Sequence, residues 1–263
     1  MPTEADDRAA VARRAAEAGG EVALRSFRAG LEVEIKSGKM DLVTAADRDA
    51  QARVVEVLEE AYPNEPVIGE EDGIPSSVPA DGAAWIVDPI DGSNNYVRGL
   101  PTWATSVAAV DDGEPIAAAT YLPVTDDLYS AGTGTTLLNG DPTSVSDRSD
   151  PERCMVVPTI WWSLDRREEY ARAVSGIVRR FADMRRFGSV QAALAYVASG
   201  AIDGALTNVV ANPWDTVAGV HLVRHAGGRV TDVAGDPWRH DTTGLVASNG
   251  SIHDSVLGVA EAV

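Results

Sequence analysis

Apolar positions along the chain follow two rhythms. Over 8–27, Val11, Ala12, Ala15, Ala16, Ala18, Val22, Ala23 and Phe27 recur at helical spacing between arginines and glutamates, which predicts an amphipathic helix. A second stripe, Val54, Val55, Val57, Leu58 and Ala61, predicts a helix over 48–61. Asp47 stands at its N-terminal end, where an acid suits both capping and the dipole, and Pro63 ends it. Short apolar runs then predict strands at 67–68, 85–87, 105–110, 116–121 and 128–131. Asp111-Asp112-Gly113 and Asn139-Gly140 read as hairpin turns, and Gly132-Thr133-Gly134 as a bend. Beyond 155 strand and helix alternate: strands at 155–158, 184–187, 204–207 and 230–232, helices at 166–181, 190–198 and 215–226. The first half therefore reads as α+β with a largely antiparallel sheet, the second as an α/β layer. The polar stretch 141–153 marks the join, giving an α+β subdomain over 1–145 and an α/β subdomain over 146–263.

Composition adds a strong charge bias. Forty acids face 22 bases for a net charge of -18, and the only lysines are Lys36 and Lys39. The acids are scattered rather than gathered in a tail, which points to a halophilic, salt-rich cytoplasm where screening relieves self-repulsion. With no basic patch, no nucleic-acid partner and no anionic membrane surface are expected. A phosphorylated ligand would have to be met by bound cations or backbone donors. The single cysteine, Cys154, rules out an intramolecular disulfide and a cysteine zinc motif, and reads as a small core residue. The first twenty residues lack the basic and apolar regions of a signal peptide, and no apolar run is long enough to span a bilayer, so a cytoplasmic protein is expected.

Three apolar runs end in acids: Val67-Ile68-Gly69-Glu70-Glu71, Trp85-Ile86-Val87-Asp88-Pro89-Ile90-Asp91 and Asn212-Pro213-Trp214-Asp215. Any one of these acids alone is more simply a cap or a solvated turn. Together they form a set of hard oxygen donors without thiols, which suits Mg²⁺ or Mn²⁺. Asp88, Asp91 and the Ile90 carbonyl present three such oxygens; Pro89 restricts Asp88 to extended backbone, and Gly92 frees the turn that follows. Ser93 and Asn94 then open a short helix whose N–H groups face outward.

The run Asp88-Pro89-Ile90-Asp91-Gly92-Ser93-Asn94 resembles a signature of the inositol monophosphatase family of metal-dependent, lithium-sensitive sugar and polyol phosphatases, which includes archaeal-type fructose-1,6-bisphosphatases. Trp214-Asp215-Thr216-Val217-Ala218-Gly219, Ile68-Gly69-Glu70-Glu71 and Asp41-Leu42-Val43-Thr44-Ala45-Ala46-Asp47 match further family segments in order and spacing. The resemblance implies a layered αβαβα sandwich and a homodimer. It implies that Glu70, Asp88 and the Ile90 carbonyl hold one Mg²⁺, that Asp88, Asp91 and Asp215 hold a second, and that a third sits near Glu70. Asp47 and Ser93, with Glu70, would activate and orient the attacking water. Asp91, Gly92, Ser93, Gly188, Ser189 and Asp215 would contact the substrate. The reaction implied is hydrolysis of inositol 1-phosphate, fructose 1,6-bisphosphate or both, with two ions clamping an in-line displacement. A nucleotide-type substrate (3′-phosphoadenosine phosphate or NADP) and a non-catalytic metal-binding homologue are the rival readings.

The sequence departs from the family where specificity is set. Ser93 stands where a threonine is usual. The segment Leu206-Thr207-Asn208-Val209-Val210 carries no acid where inositol-type enzymes have one, which argues against strict myo-inositol specificity. Arg185 and Arg186 are candidates for a second phosphate or a dimer contact, with exposed arginines as the plain alternative. His221 and His225, four apart on a predicted helix, lack the partners of a zinc pair. Trp161-Trp162 reads as a partly buried loop pair.

Overall fold

The computed structural model describes residues 3–29, 33–35, 42–71, 73–160 and 162–263; Lys36, Lys39, Asp41 and Trp161 lie outside the described residues. Helix α1 (Glu4–Ser26) starts earlier than its apolar stripe. Thr3 and Asp6 form a capping box, with Asp6 N donating to Thr3 Oγ1 at 3.3 Å and Thr3 N to Asp6 Oδ2 at 2.9 Å. A short antiparallel pair, β1 (Val33–Ile35) and β2 (Leu42–Thr44), leads into α2 (Ala45–Ala61). Asp47 is the third residue of α2 rather than its cap, and its side chain is fully buried.

Seven strands form one sheet in chain order: β3 (Val67–Gly69), β4 (Ala83–Asp91), β5 (Ala104–Asp111), β6 (Glu114–Leu122), β7 (Asp127–Ala131), β8 (Leu137–Leu138) and β9 (Asp141–Pro142). β3 runs parallel to β4, and all later pairs are antiparallel. Asp112 and Gly113 take φ of 50° and 78° in the two-residue hairpin between β5 and β6, the left-handed pair that a tight hairpin demands. Side chains of β4 alternate between two cores: Trp85 and Val87 face α1 and α2, while Ala84 and Ile86 face the interior of the molecule. Burial on both faces explains why this strand reads as a continuous apolar run.

The four-stranded sheet has the order β10 (Val156–Pro158), β11 (Gly204–Thr207), β13 (Leu245–Ser248), β12 (Arg229–Thr231). Only β10 and β11 are parallel. Helices α5 (Val190–Ala198) and α6 (Pro213–His225) lie between the two sheets, and α4 (Arg167–Arg180) and α7 (His253–Ala260) cover the far face through Ala173, Ile177 and Val256, in a cluster that also holds Cys154. The layers are αβαβα, as expected. α5 and α6 approach closely at Gly219, where a Cβ would stand 2.5 Å from Leu194 Cβ. Their central core cluster also contains Ile86, Ala108 and Leu122, so one core runs from the first half of the chain into the second.

Three expectations change. Strand β4 does not stop at Val87 but carries Asp88 to Asp91 within it. Residues 184–187 do not form a strand: the pairing there is a single bridge between Met155 and Asp183. Asp183 instead binds the Met184 amide at 2.7 Å and the Arg185 guanidinium at 2.5 Å, local bonds that compete with a ladder. Helix α6 begins at Pro213 rather than Asp215; Asn212 caps it, and Asn212 N donates back to Asp215 Oδ2 at 2.9 Å. Strand β13 and helix α7 went unpredicted.

Candidate active site

The site starts at an irregularity in β4. Asp88 pairs with Ser106 and Asp91 with Ala104, so three steps on β4 oppose two on β5. That is one extra residue, a bulge, and Pro89 sits inside it. Thr105 Oγ1 secures the bulge by donating to the Pro89 carbonyl at 2.8 Å. Gly92 follows with φ of 94° and caps the short helix α3 (Ser93–Val97). A Cβ on Gly92 would lie 3.1 Å from both Gly188 O and Ser189 Cβ, so a larger residue would be crowded as well as strained in conformation. Ser93 Oγ then reaches the Ile90 carbonyl at 2.9 Å and Asp47 Oδ1 at 3.2 Å. One hydroxyl proton thus has two acceptors, and one of them is the buried acid on α2.

Asp88 is 2% exposed, and its Oδ1 has no hydrogen-bond partner. Burial drives its carboxyl well above the usual range, and the charges of Glu70, Asp91, Asp215 and Asp47 drive it further. Asp215 is pushed up to about 7, first by burial and then by Asp91. Asp91 is pushed up to about 6 by burial, against the pull of its donors from Ser189, Val190 and Gln191. Leaving a carboxylate oxygen desolvated without a partner is costly. A hard dication is the partner that this oxygen-only donor set fits, with neighbouring acids to share its charge. Among the described residues, no three His, Cys, Asp or Glu side chains converge as a finished metal site. Glu70, Asp88, Asp91 and Asp215 line a common cleft instead.

Asp91 also has a structural task that the sequence did not announce. Its Oδ2 accepts Ser189 Oγ and, at 2.7 Å, Gln191 N; its Oδ1 accepts Val190 N at 3.1 Å. An acid on β4 thereby satisfies the first N–H groups of α5, favourable at a helix N-terminus. The Ser189 hydroxyl, expected to line the substrate's side, is committed to Asp91, although Gly188 and Ser189 both border the cleft. Gln191 carries the link onward. Its Nε2 donates to Trp214 O at 2.7 Å, and its Oε1 accepts Gly219 N at 2.8 Å. One fully buried glutamine therefore ties Asp91 to the helix bearing Asp215. Gln51 on α2 does the same for the Glu70 loop, accepting Glu71 N at 3.0 Å and donating to Glu71 O at 3.3 Å. Asn95 donates to both Thr102 O and Phe187 O at 2.6 Å, drawing the Gly188 segment against α3. Glutamines and asparagines carry no local signature, which is why sequence reading passed over all three.

The cleft has a volume of about 1020 Å³ and extends from these acids to Thr159, Leu164, Arg167, Arg186 and Val210. Arg186 borders it and lies 5.8 Å from the Tyr170 ring centroid; Arg167 lies 6.0 Å from the same ring. Burial lowers the pKa of Arg186 from its ordinary value. Arg185 does not border the cleft and bonds Asp183 and the Met184 carbonyl. A separate hollow of about 560 Å³ between α4 and α7 is lined by none of Glu70, Asp88, Asp91 and Asp215. His221 and His225 bond the carbonyls of Gly132 and Gly134 at 3.1 and 2.8 Å and pin α6 to that bend. Cys154 is buried, and burial pushes its thiol up to about 11. Trp162 is buried, stacked on Tyr170 and bonded to Asn208.

The profile of the Inositol monophosphatase family matches residues 4–263. The chain belongs to the inositol monophosphatase family. Relatives in that family are named as phosphatases, consistent with a phosphoric monoester hydrolase, and the family is generally metal-dependent. Over 232 residues the chain is 34% identical to the fructose-1,6-bisphosphatase/inositol-1-monophosphatase of Thermotoga maritima, covering 88% of this chain and 87% of that one. It is 35% identical over 247 residues to the Nus factor SuhB of Xylella fastidiosa, covering 90% and 88%. The solved inositol monophosphatase of Thermotoga maritima superimposes with a TM-score of 0.88 at 31% identity, covering 97% of each chain. Among the described residues, no helix is long and apolar enough to cross a membrane.

Proposed function

We propose that the protein is a Mg²⁺-dependent phosphomonoesterase acting on a sugar or polyol phosphate. The observation that carries this reading is Asp88, a buried carboxylate with an unpartnered oxygen, set in a strand bulge under the field of four other acids. Asp88, Asp91, Glu70, Asp215 and the Ile90 carbonyl would hold two to three ions, with Mn²⁺ as an alternative. When bound, such ions neutralise phosphoryl charge and make water more acidic.

The chain's own groups do the rest. Asp47, reached by Ser93 Oγ at 3.2 Å, would accept the proton relayed through that hydroxyl from the attacking water. Glu70, half-buried at the cleft wall, would help to orient that water. The amides of Gly92 and Ser93 would receive phosphate oxygens. Gly188, with Arg186 and Arg167 beyond it, would meet the leaving group, the arginines taking any second anionic group. Arg185, bonded to Asp183, is the weaker candidate for that role. Residues 1–145 supply most of the acids and residues 146–263 supply Asp215 and the leaving-group side, so we also propose that the two halves act as subdomains sharing one cleft.

Phosphate release from inositol 1-phosphate, fructose 1,6-bisphosphate, NADP and 3′-phosphoadenosine phosphate tests the reading, in high-salt buffer with Mg²⁺ and with EDTA. Metal-dependent, lithium-inhibited release from a sugar or polyol phosphate is expected. Release from the nucleotides alone overturns the substrate class, and release that survives EDTA overturns the metal. A cytoplasmic homodimer adapted to salt accompanies this proposal, to be checked by sedimentation across salt concentrations. The relative named as a Nus factor supports a second reading, a binding homologue. In that case Mg²⁺ would raise the melting temperature with no turnover of any ester.

A further inference from the structure

Asp91 differs from Asp88 and Asp215 in how many donors it has taken. Asp88 Oδ1 has none, and Asp215 Oδ2 accepts Asn212 N at 2.9 Å. Asp91 accepts three side-chain or backbone donors across its two oxygens. A carboxylate offers about four lone-pair directions, two on each oxygen. On Asp91 Oδ2 both are taken, by Ser189 Oγ and by Gln191 N at 2.7 Å. On Oδ1 only one is taken, by Val190 N at 3.1 Å. Two of these donors are backbone amides in the first turn of α5, and Gln191 is fixed further by its side-chain bonds to Trp214 O and Gly219 N. The third is the Ser189 hydroxyl. It is 3% exposed and is itself held, accepting Ala192 N at 3.1 Å, so its proton stays directed at Asp91.

We infer that Ser189 is a positioning residue that, with the Gln191 amide, closes Asp91 Oδ2 and leaves Asp91 to meet a cation through Oδ1 alone. The consequence is ion choice. Mg²⁺ demands near-ideal octahedral geometry, whereas Ca²⁺ takes about six to eight oxygens in flexible geometry and accepts a carboxylate through both of its oxygens. An Asp91 limited to one oxygen fits the smaller ion and withholds a ligand from the larger. This rests on the metal-dependent phosphomonoesterase reading and deepens it at the same site.

Calorimetric titration with Mg²⁺ and with Ca²⁺ at matched ionic strength tests the inference in the wild type, Ser189→Ala and Ser189→Thr. Ser189→Ala opens one direction on Oδ2. The affinity for Ca²⁺ relative to Mg²⁺ is expected to rise about tenfold, the lower end of what a group bonded to a metal ligand contributes. Ser189→Thr keeps the hydroxyl and is expected to keep the wild-type ratio. A purely structural role in capping α5 would weaken both ions alike, so an unchanged ratio in Ser189→Ala overturns the inference. An equal rise in Ser189→Thr overturns it too. If Ser189→Ala does not fold, Ser189→Gly takes its place with the same expected ratio, because glycine is tolerated at an N-cap. A wild type that binds neither ion overturns the metal reading and the inference with it. Binding of both ions with a ratio that no variant moves overturns the inference and leaves the metal reading standing.

Discussion

At one end of the cleft Asp88 is 2% exposed within a nine-residue strand; at the other Leu164 is 78% exposed on a single 3-10 turn. The acidic end is held by long-range bonds: Thr105 to Pro89, Gln191 between Asp91 and α6, and Gln51 to the Glu70 loop. The far end is held by a part-buried network in which Asn208 joins Trp162 and Glu169, and Glu169 also takes Arg166. The difference separates chemistry from selectivity. Buried carboxylates need an over-determined scaffold, because their mutual repulsion would otherwise spread them apart. A wall that only meets the leaving group tolerates exposure and variation.

The largest expected effect breaks the acidic end. Asp88→Asn should lower metal-dependent turnover by on the order of 10³-fold, the scale of a lost interaction with transition-state charge. It should also raise the melting temperature of the metal-free protein, because it removes one of the mutually repelling charges. A loss under tenfold in a steady-state assay would remove Asp88 from the site.

Gln191→Leu comes next. It leaves Trp214 O and Gly219 N without their partner in a packed interior, a cost of about 2–3 kcal/mol by denaturant unfolding. Displacing Asp91 relative to Asp215 should also lower kcat by about tenfold or more. Lost stability with unchanged kcat would make Gln191 a packing residue only.

A pH series sharpens the contrast. Asp215 and Asp91, with ordinary values of 3.8, hold their protons up to about 7 and about 6 in the folded chain. The native state therefore binds more protons than the unfolded state in that window, and metal-free stability should fall as pH rises from about 4 to about 7. The stabilisation gained on adding Mg²⁺ should grow over the same window, as the metal displaces those protons. Asp215→Asn should flatten both trends in a melting series, and an unchanged slope would place their origin in the general acidity of the chain. The smallest effect belongs to the far end: Arg186→Ala should raise KM for a bisphosphate by about three- to fivefold, the range of a partly exposed ion pair. Arg185→Ala, whose guanidinium bonds Asp183 outside the cleft, should leave KM unchanged.

Local signals were legible in the residues alone. The stripes of α1 and α2, the Asp112-Gly113 hairpin, helix α5 and strand β11 all fall where periodicity and turn chemistry place them. The four acidic segments and their family likeness were also readable, because the motif residues are contiguous. Segment 184–187 was misread as a strand and 245–248 was missed: both are short, and whether so short a run pairs at all depends on distant partners.

The sequence by itself determined the element types, the acidic donor set and the family, since each depends on residue identity at fixed short spacing. Only the tertiary structure decided that Asp88 is left without a partner, that Asp91 caps a helix 98 residues further on, and that Gln191 joins the two halves. It also decided that Arg186, but not Arg185, borders the cleft. These depend on which side chains lose water together and which donors they meet there. Desolvation and charge repulsion act through space, and a linear pattern does not encode them.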